Sequence, residues 1–318
     1  MRHDVRVLGT FQHPDPITLS IPFGPGFPAD CITILVMLRG YMKEDAVGSV
    51  QQSYKTEAHT RVGFGADAKS AAHSYAPFVT FVEFVAPPRP FSSPPSLLDV
   101  GCGCGWTSYC LANAGYNTTG IDLNTRGFEP PPTAGLDFVE GNALALPFAD
   151  SSFDVVTSLQ CVEHLPDPEL ALREMLRVLR PGGTVIIVGP NLLSPVLPFK
   201  FLLREILYGK LIWRRTPTTP FHPYGNTVSE VLRSSFTVSA RLLHKLFNGK
   251  PDFLMRTPDS VPPFYADNDA CYLCNPTDLM RFFAVNGLRT VKNGKKGRPA
   301  WTALFAGGTW VAASKPGN

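Results

Sequence analysis

The sequence predicts an α/β protein built on a doubly wound, mostly parallel sheet, and three observations predict it. Residues 97–100 are an apolar run of the kind a buried parallel strand shows, and the run ends in glycines at alternate positions, Gly101, Gly103 and Gly105. From there to residue 190, short β-branched runs alternate with stretches of helical periodicity. A carboxylate, Asp122, closes the second such run about twenty residues after the glycines, as in nucleoside-binding βαβ units.

Alternate glycines let a backbone turn sharply and bring its N–H groups against a ligand. Trp106–Asn113 can supply the helix whose positive N-terminus faces that ligand. Asn117–Asp122 reads as the second strand, and its terminal carboxylate can accept two hydrogen bonds from ribose hydroxyls. Leu136–Glu140 is a third strand, leading into Gly141, Asn142 and Ala143. Residues 152–159 form a fourth, followed by Gln160 to Leu165 at the strand end where open α/β sheets bind ligands. Asp167 is then an N-cap with Pro168 at the first helical position, and Leu172, Met175, Leu176 and Leu179 recur on one helical face. Pro181, Gly182 and Gly183 are expected to end that helix, before a fifth strand over 184–188. Residues 276–286 read as the last helix, 288–292 as the sixth strand and 309–314 as the seventh.

The run Leu97-Leu98-Asp99-Val100-Gly101-Cys102-Gly103-Cys104-Gly105 resembles the first motif of class I S-adenosylmethionine (SAM)-dependent methyltransferases. Phe153-Asp154-x-Val156, then Glu163-His164-Leu165-Pro166-Asp167, then Leu179-Arg180-Pro181-Gly182-Gly183 follow in order, as in the methyltransferases of ubiquinone and menaquinone biosynthesis. The resemblance covers residues 96–190 strongly and the remainder weakly. It implies a Rossmann-like, seven-stranded sheet whose last strand is antiparallel and inserted between the fifth and sixth, with SAM as cofactor. It further implies that Gly101, Cys102, Gly103 and Gly105 accommodate the methionine part of SAM and that Asp99 lies near its charged end. Asp122 and Leu123 then serve the ribose, Asn142 and Ala143 the adenine, and Gln160 lies beside the transferred group. The family usually has Asp where this chain has Asn142, whose carboxamide oxygen can still accept a hydrogen bond, more weakly than a charged acceptor would. No metal is expected. His164 and, in a cap over the site, His222 are the candidate bases for an acceptor that must lose a proton.

Two other readings stand beside this one. A dinucleotide-dependent oxidoreductase would need a small residue where Trp106 stands, because helix and strand pack closely there. A non-catalytic SAM-fold scaffold would keep the fold and lose the cofactor. The expected reaction is methyl transfer to an oxygen or carbon of a small-molecule or lipid acceptor.

A chain of 318 residues suits one large α/β domain with an elaboration. Its formal charge of +3 argues against nucleic-acid binding driven by phosphate neutralisation. Seven cysteines in a chain of this size do not make a secreted disulfide framework, so a cytoplasmic setting is expected. Cys271 and Cys274 have the spacing of half a zinc site or of a redox pair, but no second Cys-x-x-Cys or His-x-His accompanies them, and they read as structural. Lys292, Lys295, Lys296 and Arg298 read as a solvated basic loop.

Residues 1–41 are expected to be a poorly packed extension, with a Pro- and Gly-rich stretch and an apolar run too short to span a bilayer. Residues 42–95 are expected to hold N-terminal helices and a linker, with 66–85 helping to close the ligand site. The methyltransferase domain then runs over 96–318, with 191–275 as a substrate-side cap. Phe199, Trp213, His222 and Tyr224 are the cap's candidates to face the acceptor. Lys200, Arg204, Lys210, Arg214 and Arg215 against Glu205 give 191–215 an excess of +4. That segment is an ordinary amphipathic helix or, alternatively, a peripheral contact with an anionic membrane surface.

Overall fold

Ser96–Val100 (β3), Asn117–Asp122 (β4), Leu136–Glu140 (β5), Phe153–Leu159 (β6), Leu179–Pro190 (β7), Arg289–Asn293 (β8) and Gly308–Ser314 (β9) form one sheet in the order β5-β4-β3-β6-β7-β9-β8. Strands β3 to β7 are parallel, and β9 runs antiparallel to both β7 and β8. The seven-stranded Rossmann-like sheet with an inserted antiparallel last strand is therefore present. These coordinates come from a computed structural model, which describes residues 67–88, 93–125, 130–199, 228–258, 269–295 and 297–317. It also describes residue 52 and an antiparallel pair within the N-terminal 41 residues, Thr18–Leu19 (β1) with Ile34–Leu35 (β2).

Side chains alternate across each strand, so both faces of the sheet bury apolar surface. On one face Leu98, Val156, Val185, Ile187 and Val311 pack with Leu172, Met175 and Leu176 of α3 (Pro168–Val178) and with Leu279, Phe282 and Phe283 of α5 (Pro276–Val285). On the other, Leu97, Val155, Ile186, Val188 and Ala312 meet Phe78, Phe81 and Val82 of α1 (Ala68–Val85) and Leu111 of α2 (Trp106–Asn113). Asp67 begins α1 with a reciprocal cap, accepting from Ser70 N at 2.8 Å while its own N–H donates to Ser70 Oγ. Trp106 is buried in a small cluster with Ala71 of α1 and Cys110 of α2.

One boundary differs from the sequence reading. Helix α3 stops at Val178, and Leu179 is the first residue of β7, buried and paired with Phe153. Pro181 disfavours the helical conformation of the residue before it and supplies no N–H, so the helix ends ahead of the proline. Residues 180–183 then bulge outward, and Thr184 resumes the ladder opposite Val155.

Among the described residues no helix is long and apolar enough to cross a membrane. Residues 200–227, which hold most of the basic segment, lie outside the described residues, as do Trp213, His222 and Tyr224. The described part of the cap includes α4 (Val228–Phe247), which is fastened to the sheet through α5. Lys245 Nζ lies 2.7 Å from Asp278 Oδ2, with both side chains wholly buried. Asn275 Nδ2 and Tyr272 OH donate to the same oxygen at 2.7 and 3.2 Å, and Lys245 also donates to the Asp252 carbonyl. Burial pushes the Asp278 carboxyl up, and the Lys245 charge pulls the other way.

Removing one partner of such a pair strands a charge, which costs about 3–5 kcal/mol. Lys245→Met should lose that much stability in urea unfolding, and adding Asp278→Asn should recover part of it. Wild-type stability in Lys245→Met would contradict the role of the pair.

Candidate functional site

The backbone turns left-handed at three alternate glycines after β3, with φ of +72°, +57° and +85° at Gly101, Gly103 and Gly105. L side chains rarely adopt these values, and a Cβ on Gly101 would also collide with the Cys161 side chain. The turn is stitched to the neighbouring strand. Gly101 N and Cys102 N both donate to the Ile121 carbonyl, at 2.8 and 3.1 Å, and Gly103 N donates to Asp122 Oδ2 at 2.9 Å.

Asp99 sits beneath this turn and not in the wall of the cavity. Its Oδ2 accepts from Ser108 Oγ of α2 at 2.8 Å, and its Oδ1 accepts from Thr157 Oγ1 of β6 at 2.9 Å. Full burial pushes its carboxyl up to about 6, the two hydroxyls oppose the shift, and the nearby Asp122 charge adds to it.

A cavity of about 460 Å³ opens at the carboxyl ends of the parallel strands. Its floor follows the strand ends: Gly101 to Cys104 after β3, Asp122 and Leu123 after β4, Gly141 to Ala143 after β5, and Gln160 and Cys161 after β6. Tyr75, Pro77 and Phe78 of α1 form one wall, and His164, Leu165, Lys295 and Trp310 stand on the far side. Of the expected site residues, Gly101, Cys102, Gly103, Asp122, Leu123, Asn142, Ala143, Gln160 and His164 all line this space. Asp99 and Gly105 stand behind it. None of the described residues of 191–275 lines it, and Phe199 is half exposed elsewhere. Among the described residues, α1, expected to help close the site, and the loop bearing Lys295 form its walls.

Several details fix the chemistry available. Gln160 adopts a left-handed φ of +54° at the end of β6, a conformation that costs energy for a non-glycine residue and often marks a functional loop. Asn142 Oδ1 accepts from Leu144 N at 3.0 Å, which uses one of its two lone pairs to shape the turn after β5. Burial pushes the Cys102 and Cys161 thiols up, so both stay protonated at neutral pH and neither is a ready nucleophile. Cys271 and Cys274 are both buried and reduced.

His164 belongs to a short 3₁₀ turn, Val162–His164, and is gripped from the cap side. Its Nδ1 lies 3.2 Å from Asp269 Oδ2, and its Nε2 lies 3.8 Å from Glu163 Oε1. Both carboxylates are buried. Cys271 N and Tyr272 N donate to the Glu163 carbonyl at 2.7 and 2.9 Å, so the end of the cap is bound to the loop that carries His164. Sequence reasoning did not single out Asp269 or Trp310, and it read Lys295 as a solvated loop residue.

Residues 98–187 match the family model of a methyltransferase domain. The chain is 30% identical over 192 residues to 2-methyl-6-phytyl-1,4-hydroquinone methyltransferase of Synechocystis sp., covering 55% of this chain and 58% of that protein. It is 37% identical over 124 residues to ajmaline N-methyltransferase of Rauvolfia serpentina, covering 34% and 40%. With demethylmenaquinone methyltransferase of Renibacterium salmoninarum it shares 40% over 95 residues, covering 29% and 39%. The chain thus spans about half or less of the length of these curated relatives.

The raised pKa of Asp99 gives a stability prediction with a definite sign. Between its ordinary value of 3.8 and about 6 the folded protein holds a proton that the unfolded chain has released. Stability from this group therefore falls as pH rises through that window, by about 3 kcal/mol in all. Asp99→Asn removes this decline. Urea unfolding at pH 4 and pH 7 should show the variant gaining on wild type at the higher pH, whereas an equal difference at both would mean that Asp99 ionises normally.

Proposed function

We propose that this chain, whose residues 98–187 match the family model of a methyltransferase domain, is a class I SAM-dependent methyltransferase that methylates an oxygen or carbon of a small-molecule or lipid acceptor within the cavity at the strand ends. The observation that carries this reading is the glycine turn tied to the Asp122 carboxylate at the cavity floor. The residues fit the cofactor. At Gly103 a Cβ would meet nothing within 4 Å, so the turn opens onto free space, and the cavity volume lies within the range of about 300–1,000 Å³ usual for small-molecule sites.

Bound SAM supplies an electrophilic methyl group on a sulfonium. In this proposal Asp122 accepts from the ribose hydroxyls, Asn142 and Ala143 border the adenine, and residues 101–104 cradle the methionine part. Gln160 lies beside the sulfonium. Tyr75, Pro77 and Phe78 exclude water and hold the acceptor in line, which supplies much of the rate for a displacement of this kind. His164 Nε2 takes the proton that an acceptor hydroxyl or acidic carbon must lose, and the Asp269 carboxylate, 3.2 Å from Nδ1, stabilises the imidazolium that forms. The relative named for a hydroquinone lends support to a small-molecule ring as acceptor.

Asp122→Ala should weaken SAM binding about tenfold to a hundredfold in titration calorimetry, since hydrogen bonds to a charged acceptor contribute about 1.5–3 kcal/mol. Circular dichroism should stay unchanged. Undiminished affinity would remove Asp122 from the site. With methyl-labelled SAM and a metabolite extract as the source of acceptor, His164→Gln and Asp269→Asn should each slow label transfer while SAM affinity holds, and the double variant should be little slower than His164→Gln. Wild-type transfer in His164→Gln would exclude it as the base.

A further inference from the structure

We infer that the acceptor is an aromatic acid, its ring packed against Trp310 and its anionic group held by Lys295. The inference rests on the methyltransferase reading and goes beyond it. The strand order arranges the cavity like a ruler. Asn142 and Ala143 follow β5, Asp122 follows β4, residues 101–104 follow β3, and Gln160 and Cys161 follow β6. A nucleoside placed by Asp122 therefore occupies the β5–β3 end and leaves the space over β7, β9 and β8 to a second molecule.

That space has its own chemistry. β9 is antiparallel, so its first residues lie at the same sheet edge as the carboxyl ends of the parallel strands, with Trp310 paired to Val188 of β7. An edge-to-face contact with Phe81, centroids 5.3 Å apart, fixes the indole. Phe78, Leu159 and Leu165 complete an apolar surround. Lys295 follows β8, lines the same cavity, and holds its Nζ 5.2 Å from the centre of the Trp310 ring. Among the described residues no carboxylate forms an ion pair with it. Lys292 and Arg298 stand three residues to either side of it in the chain, and Lys292 Nζ donates to the Arg298 carbonyl at 3.1 Å, so positive charge gathers in the loop that bears Lys295 and favours the approach of an anion. An apolar aromatic wall with one cation over its indole matches a flat ring that carries a carboxylate or a like anion.

The test uses the full-length protein saturated with S-adenosylhomocysteine, titrated with 4-hydroxybenzoate and with its uncharged methyl ester. The acid should bind at least fivefold more tightly than the ester. Lys295→Met, at an exposed position, should abolish that preference and leave S-adenosylhomocysteine affinity unchanged. Equal binding of acid and ester, no binding of the acid, or a preference that survives in Lys295→Met would overturn the inference. Loss of S-adenosylhomocysteine affinity in the variant would also overturn it, by assigning Lys295 to the cofactor. If the wild-type protein binds no S-adenosylhomocysteine, the methyltransferase reading itself fails first.

Discussion

The hydrogen bond from Gly103 N–H to the Asp122 carboxylate, 2.9 Å long, is the constraint on which the site depends. It joins the turn after β3 to the end of β4, so a loop that could otherwise adopt many conformations is held in one. The Ile121 carbonyl, accepting from Gly101 N and Cys102 N, fixes the preceding two peptides. Both strands are central in a sheet packed on its two faces, and the turn cannot shift unless they do. Preorganisation of this kind lowers the entropy lost when a ligand binds.

Asp99 supplies the rigidity from below. One oxygen is tied to α2 through Ser108 and the other to β6 through Thr157, so the carboxylate sets the turn relative to the helix that follows and the strand beside it. Two hydroxyls do not fully replace the water a carboxylate loses on burial, so burial, with the Asp122 charge adding to it, pushes its pKa up. A group that opposes stability at neutral pH is thus retained where it orients a binding turn, consistent with local strain concentrating at functional sites.

The β3–α2–β4 unit was legible because its signals are local and reinforce one another. The apolar run, the glycines and Asp122 each constrain the same few residues, and the strand over Asn117–Asp122 is found with the bounds the sequence suggests. Leu179 was misread because its spacing from Leu172, Met175 and Leu176 suits a helical stripe, while the proline that ends the helix acts upstream of itself. Asp269 carries no local signal at all. Its place beside His164 comes from chain folding back across the sheet edge, a long-range contact that no window of sequence encodes. Lys295 is exposed, as its glycine-rich surroundings suggest, but its contact with Trp310 carries no local signal, because it depends on the antiparallel course of β9. Residues 66–85 were expected to help close the site, and α1 lines it, whereas none of the described cap residues does. One side of α1 packs on the sheet through Phe81 and Val82, and Tyr75 and Pro77 border the cavity.

A crystal structure of the protein with S-adenosylhomocysteine tests the central claim most directly. The account predicts the ribose hydroxyls within hydrogen-bonding distance of the Asp122 carboxylate, the adenine beside Asn142 and Ala143, and the sulfur facing Gln160 and His164. Ligand bound away from the glycine turn, or seated there with Asp122 making no contact to the ribose, would contradict it.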